Sequence, residues 1–288
     1  MAAATSSYQE KALALEQEAN MSYTLQGNRR FAELTLKAAN FYIAARKHKE
    51  AADAYFRAAQ CFTLLVQPHD AMTIYISASN AYKVCDDTEK AARSLELAVD
   101  YYVAEGRFSI AAKYHEDLAG MYEQLKDDEG VVRCWEAAAN FYEIENAAGS
   151  AARCRAKVAE HAALAGDYRK ARGIFRNAFM VTNATALLRG GAYGYLFNSR
   201  LCLFLIGGYS AVEDELRSVS DGQLIPGTQP ASKFVHNMLA AFKSNDPDQF
   251  SQVVNDYNRI YKLTEWQAAM MLRIGELFPE DEEGEKEE

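Results

Sequence analysis

"EAADAYFRAAQCF", residues 50–62, sets five alanines among Tyr55, Phe56, Cys61 and Phe62. The same pattern returns down the chain at intervals of forty residues, as "KAARSLELAVDYY" (90–102), "GVVRCWEAAANFY" (130–142) and "KARGIFRNAFMVT" (170–182). Three columns keep their kind without a gap. Ala58, Ala98, Ala138 and Ala178 form one; Tyr55, Leu95, Trp135 and Phe175 the next; Ala51, Ala91, Val131 and Ala171 the third. A second helix repeats in step, with Tyr42, Tyr82 and Tyr122 in register and Ala162 in fourth place. A fixed period of this size marks an array built from one supersecondary unit.

Alanine at every contact row lets neighbouring helix backbones approach closely, and the bulky column fills the space beside them. The aromatic stripe is therefore core rather than a cofactor box. Leucine at Ala98 is expected to overpack the joint by about 1–3 kcal/mol. Truncating Trp135 to alanine is expected to cost about 3–5 kcal/mol.

The rest of the chain agrees with a helical stack. It has 288 residues and five prolines, and Pro226, Pro230 and Pro247 are clustered, so long proline-free stretches with an apolar period near 3.6 favour helix throughout. A helix over about 8–26, closed by Gly27, precedes helix pairs at about 30–46 with 50–65, 69–84 with 88–104, 108–125 with 128–144, and 148–165 with 168–181. "RKHKE", "CDDTE", "LKDDEG" and "LAGDY" supply the stops between them. Beyond Thr182 the period fades into helices near 185–206 and 209–220, a loop at 220–230, and helices near 232–244, 247–260 and 264–278. The expected class is all-α, a tetratricopeptide-like α-solenoid of antiparallel helix pairs with period 40 and a C-terminal helical bundle. The expected divisions are 1–182 for the repeats, 183–278 for the bundle and 279–288 for a disordered acidic tail.

The five cysteines show no C-x-x-C pairing and are odd in number, which suits small buried hydrophobes in a reducing compartment. No apolar run approaches a membrane span or a signal-peptide core, so the expected location is cytoplasmic. Catalytic motifs are missing: there is no phosphate loop, no G-x-S-x-G and no zinc-ligand spacing among His48, His69, His115, His161 and His236. His115 stands beside Glu116 and Asp117, but neighbours in a helix point to different faces, so it is expected at the surface or facing a turn. No cofactor and no enzymatic activity are expected.

Charge is distributed unevenly. The net charge is −9, and the last nine residues, "EDEEGEKEE", carry −6 of it. Nine acids crowd residues 115–145, whereas 151–176 holds Arg153, Arg155, Lys157, Arg169, Lys170, Arg172 and Arg176 against Glu160 and Asp167. Arg153 and Lys157 lie four apart and share a helix face. Arg107 and Lys113 open the preceding repeat. A basic strip of this kind docks an acidic partner or is simply a solvated face. Nucleic acid is disfavoured by the overall acidity and by the lack of interleaved exposed aromatics.

"GRFSIAAKYH" (106–115), "ARCRAKVAEHAALAGDYRKA" (152–171) and "DYNRIYKLTEWQAAMMLRI" (256–274) resemble the soluble NSF attachment proteins, or SNAP family, most closely the alpha-type, over about 31–278. The resemblance implies an adaptor without enzymatic activity. It binds assembled SNARE bundles and recruits the hexameric NSF ATPase, an AAA-type partner, to take them apart after membrane fusion. The family's SNARE-facing cations fall on Arg107, Lys113, Arg153 and Lys157. The resemblance also implies cytoplasmic protein held peripherally at membranes through SNAREs. This chain departs from the family in three places. The lipid-touching loop is shortened to "MSYTLQGN" (21–28), leaving Met21, Tyr23 and Leu25 as its apolar remnants. The acidic end lacks a leucine near its terminus, and the helix matching 232–244 carries Lys243 in place of the family's acids. Contact with NSF is therefore expected from Asp281, Glu282, Glu283 and their neighbours. The alternative is a generic repeat scaffold for another acidic protein.

Overall fold

The computed structural model describes residues 2–21, 28–220 and 230–279, and among them it contains thirteen α-helices and no strand. They are α1 (Ala2–Met21), α2 (Asn28–Ala44), α3 (His48–Leu64), α4 (Pro68–Val84), α5 (Thr88–Ala104), α6 (Phe108–Leu125), α7 (Asp128–Ile144), α8 (Ala148–Leu164), α9 (Tyr168–Asn183), α10 (Arg189–Ser220), α11 (Pro230–Ser244), α12 (Pro247–Tyr261) and α13 (Glu265–Gly275). The chain packs as two compact units, Met1–Ala147 and Ala148–Glu288. Residue 182, where the repeats were expected to end, lies near the end of α9, which packs along α10 inside the second unit.

The period of forty is two helices of twenty residues each, turn included. Positive φ recurs at Arg46, Val66, Asp86, Gly106, Lys126, Asn146 and Gly166, twenty residues apart. Each time the following N–H reaches back to a carbonyl five residues earlier: Lys47 to Tyr42 at 2.8 Å, Gln67 to Phe62 at 3.0 Å, Asp87 to Tyr82 at 3.1 Å and Asp167 to Ala162 at 2.9 Å. This left-handed C-terminal cap satisfies the last carbonyls and turns the chain back within three residues. Asp87, Asp127 and Asp167, forty apart, then cap the next helix by accepting from Lys90, Gly130 and Lys170. Helices expected from the sequence as "CDDTE", "LKDDEG" and "LAGDY" punctuation begin at those aspartates.

The columns read from the sequence are the core. Ala51, Ala91, Val131 and Ala171 are all fully buried, as are Ala58, Ala98 and Ala138, and Tyr55, Leu95, Trp135 and Phe175 are buried beside them. The tyrosine column has a separate role. Tyr42 donates to Glu16 at 2.8 Å, Tyr82 to Asp53 at 2.6 Å and Tyr122 to Glu96 at 2.5 Å. Each of these acids also meets a cation from another helix: Arg57 on Glu16, Lys90 on Asp53 at 3.7 Å, and Arg133 on Glu96 at 3.7 Å. Lys90 and Arg133 lie over the rings of Tyr82 and Tyr122. Three helices are thus tied at each step, α1–α2–α3, α3–α4–α5 and α5–α6–α7. Burial first, and then the bonded carboxylate, hold all three phenols well above the usual tyrosine range.

In the second unit α10 is interrupted at Gly208 (φ 68°, ψ −168°), a non-helical residue that divides it into two helices, as expected near 185–206 and 209–220. Its apolar run packs Leu201 and Phe204 with Phe175, Met238, Met270 and Ile274, all fully buried. Phe175 meets Trp266 at 5.3 Å, and Trp266 donates to the Glu160 carbonyl at 3.0 Å, fixing α13 against α8. Arg273 closes the same joint by donating to the carbonyls of Ala163 and Leu164, each at 2.9 Å.

Candidate functional site

The four expected docking cations divide between the units. Arg107 and Lys113 belong to the first. Arg107 occupies the N-cap position of α6 without capping it, so its guanidinium is left to lie across the Tyr102 ring, 5.2 Å from the centroid. A cation on an aromatic face at an exposed site is held by about 0.5–1 kcal/mol, enough to bias its direction. Lys113 projects from α6, exposed. Neither cation has an ion-pair partner among the described residues, although Asp117 follows Lys113 by one turn. Their charge is available to an incoming carboxylate.

Arg153 and Lys157 belong to the second unit, one turn apart on α8. Arg153 is exposed, and Lys157 is half-buried and bonds Glu160 at 2.8 Å. An accessible pair of this kind contributes about 0–1 kcal/mol, so a partner's carboxylate can replace that of Glu160 at little cost. Tyr195 of α10 responds to the same helix: burial raises its phenol, Arg153 lowers it, and Cys154 and Glu160 raise it.

His115 corrects its expectation. It is half-buried with its ring turned inward, stacked on Phe141 at 5.5 Å, and its buried Nδ1 has no hydrogen-bond partner. Burial lowers its pKa and keeps the ring neutral. The reason is position: α6 and α7 face each other at 115 and 141, where a flat neutral ring packs better than a charged one. Met21 ends α1 strongly exposed, while Tyr23 and Leu25 lie outside the described residues. Asp281, Glu282 and Glu283 also lie outside them. Lys243 of α11 bonds Glu213 of α10 at 2.6 Å.

The sequence reading missed one charged cluster. Glu215, little exposed, meets Arg172 at 2.6 Å, Arg176 at 3.3 Å and Arg200 at 3.4 Å. Arg200 is buried, and desolvation lowers its pKa. A signal existed: a lone arginine inside the apolar run "NSRLCLFLI" (198–206) needs a buried acid. No group of three or more metal-ligating side chains forms among the described residues, and no described helix is long and apolar enough to cross a membrane.

Comparison with known proteins places the chain among relatives of one family. The family model "Soluble NSF attachment protein, SNAP" matches residues 3–277. The alpha-soluble NSF attachment protein of Homo sapiens is 34% identical over 254 residues, covering 87% of this chain and 85% of that protein. The beta-soluble NSF attachment protein of Bos taurus is 32% identical over 88% of this chain and 85% of its own. A probable vesicular-fusion protein sec17 homolog of Neurospora crassa is 26% identical, covering 86% of each.

Proposed function

This chain belongs to the soluble NSF attachment protein family, and we propose on that footing that it is an adaptor for SNARE disassembly rather than an enzyme. It binds assembled SNARE bundles and recruits the NSF ATPase to them, in vesicle fusion and membrane traffic. The carrying observation is the pair Arg107 and Lys113, exposed cations without ion-pair partners among the described residues, on which the family resemblance implies SNARE contact. Arg153 and Lys157 add a second pair on one face of α8.

The physics is simple. An acidic rod is attracted by each pair of cations, and salt weakens the attraction because the charges reach solvent. The tyrosine–carboxylate–cation ties support a stiff first unit, so force applied to a bound rod is not lost in sliding helices. The acids Asp281, Glu282 and Glu283 contact the ATPase, and Met21, Tyr23 and Leu25 make at most a small lipid contact. The protein works in the cytoplasm and reaches membranes peripherally, through the SNAREs, without nucleic acid as a partner.

The test is capture of a recombinant SNARE bundle at two salt concentrations, followed by addition of NSF and ATP. The unaltered chain is expected to capture less at high salt and to support disassembly. The double reversal Lys113→Glu with Arg153→Glu is expected to lose capture while keeping its thermal melt. Unchanged capture by that variant refutes the assignment.

A further inference from the structure

Arg169, Arg172 and Arg176 share one side of α9, with Lys170 beside them. Gly173 lies among them, and a Cβ there would meet nothing within 4 Å. Glycine weakens a helix interior. No neighbour requires it here, so it leaves a bare strip of backbone between guanidinium groups. Glu215 is shared by Arg172, Arg176 and Arg200, which leaves an excess of positive charge. Two buried donors of this group, Nη2 of Arg200 and Nε of Arg172, have no hydrogen-bond partner. The nearby acids are engaged elsewhere: Glu213 bonds Arg217 and Lys243, Asp214 faces Arg217, and Asp167 caps α9.

We infer that this face of α9 receives the chain's own acidic end, residues 280–288. That segment carries seven acids and one lysine, the complement of the α9 cations. It also starts in the right place. Phe278 stacks on Phe242 at 4.0 Å, the adjoining Lys243 bonds Glu213, and Glu213 precedes Glu215 by two residues on α10. Glu213 and Glu215 point to different faces of α10, so a chain leaving Phe278 reaches the arginine face by passing around α10 within the second unit. Nine extended residues span roughly 30 Å, enough to lay carboxylates along α9. Tethering holds those carboxylates at an effective concentration on the order of millimolar, so a competing acidic ligand must displace them. The inference is independent of which partner the adaptor serves.

The probe is a fluorescein-labelled peptide of sequence EDEEGEKEE, its binding read by anisotropy at low salt. It is offered to the unaltered full chain and to a full chain whose tail acids are replaced by Gln and Asn. The neutralised chain is expected to bind at least about fivefold tighter, because its own tail no longer competes. Adding Arg169→Glu and Arg176→Glu to that chain is expected to abolish binding. In the unaltered chain, carbodiimide is expected to join a tail carboxylate to Lys170 at low salt and not in 1 M salt, where screening falls to about 3 Å. Equal peptide affinity for the two chains, binding that survives the double reversal, or no Lys170 cross-link overturns the inference. SNARE capture by the neutralised chain reads the adaptor function separately.

Discussion

Replacing Glu215 with alanine removes a carboxylate that three guanidinium groups share. Arg172 Nη2 stands 2.6 Å from it, Arg176 Nη1 3.3 Å and Arg200 Nε 3.4 Å, and only 4% of the Arg200 side chain is exposed. Arginine cannot escape by losing its proton. The variant therefore keeps a nearly buried cation with its neutralising partner gone, beside two like charges. Breaking a buried pair on one side costs about 3–5 kcal/mol, far more than the lost packing of a short side chain. In a unit of this size each kcal/mol moves the midpoint by about 2–4 °C, so a fall of roughly 10 °C is expected. Two controls bracket the cause. Arg176→Ala, half exposed, is expected to cost under about 1 kcal/mol. Arg200→Met combined with Glu215→Leu removes both buried charges and is expected to recover most of the loss. Urea denaturation followed by tryptophan fluorescence measures all three. A Glu215→Ala variant within about 1 kcal/mol of the unaltered chain would falsify the role assigned to the carboxylate.

Gly130→Ala gains about 1 kcal/mol of helix propensity, but its Cβ would stand 2.7 Å from the Tyr122 ring. The clash is expected to win, with a net loss of about 1–2 kcal/mol in the same denaturation assay. Val66 is a β-branched residue at φ 56°, exposed and free of packing, so Val66→Gly is expected to stabilise by about 1 kcal/mol; a lower melting midpoint would refute the strain. Because Tyr42, Tyr82 and Tyr122 have raised phenol pKa values when folded, the unfolded chain releases those protons first as pH rises. Stability is therefore full below about pH 10 and falls above it, and Tyr122→Phe is expected to make that alkaline fall shallower in pH-dependent melts.

Helix number, helix phase and the buried faces were legible in the sequence because they are local and repeated. Ala98 and Leu95 announce a core face through their neighbours three and four residues away, and each repeat restates it. Asp87, Asp127 and Asp167 mark helix starts by the same regularity, because an N-cap acts within three residues. The four cations proposed for docking were picked out in the sequence by charge clustering and by the family resemblance.

The tertiary structure alone decided how distant residues pair. The tyrosine column shows its period in the sequence, but Glu16, Asp53 and Glu96 lie 26 to 29 residues from their tyrosines at uneven spacing. Arg46, Val66 and Lys126 take left-handed turns that glycine would have signalled and these residues do not. His115 turned inward, and Arg200 found Glu215 across the Gly208 kink. The division has one physical cause. Helix periodicity is set by short-range backbone geometry, whereas side chains on different helices meet only after the turns have fixed the register between them.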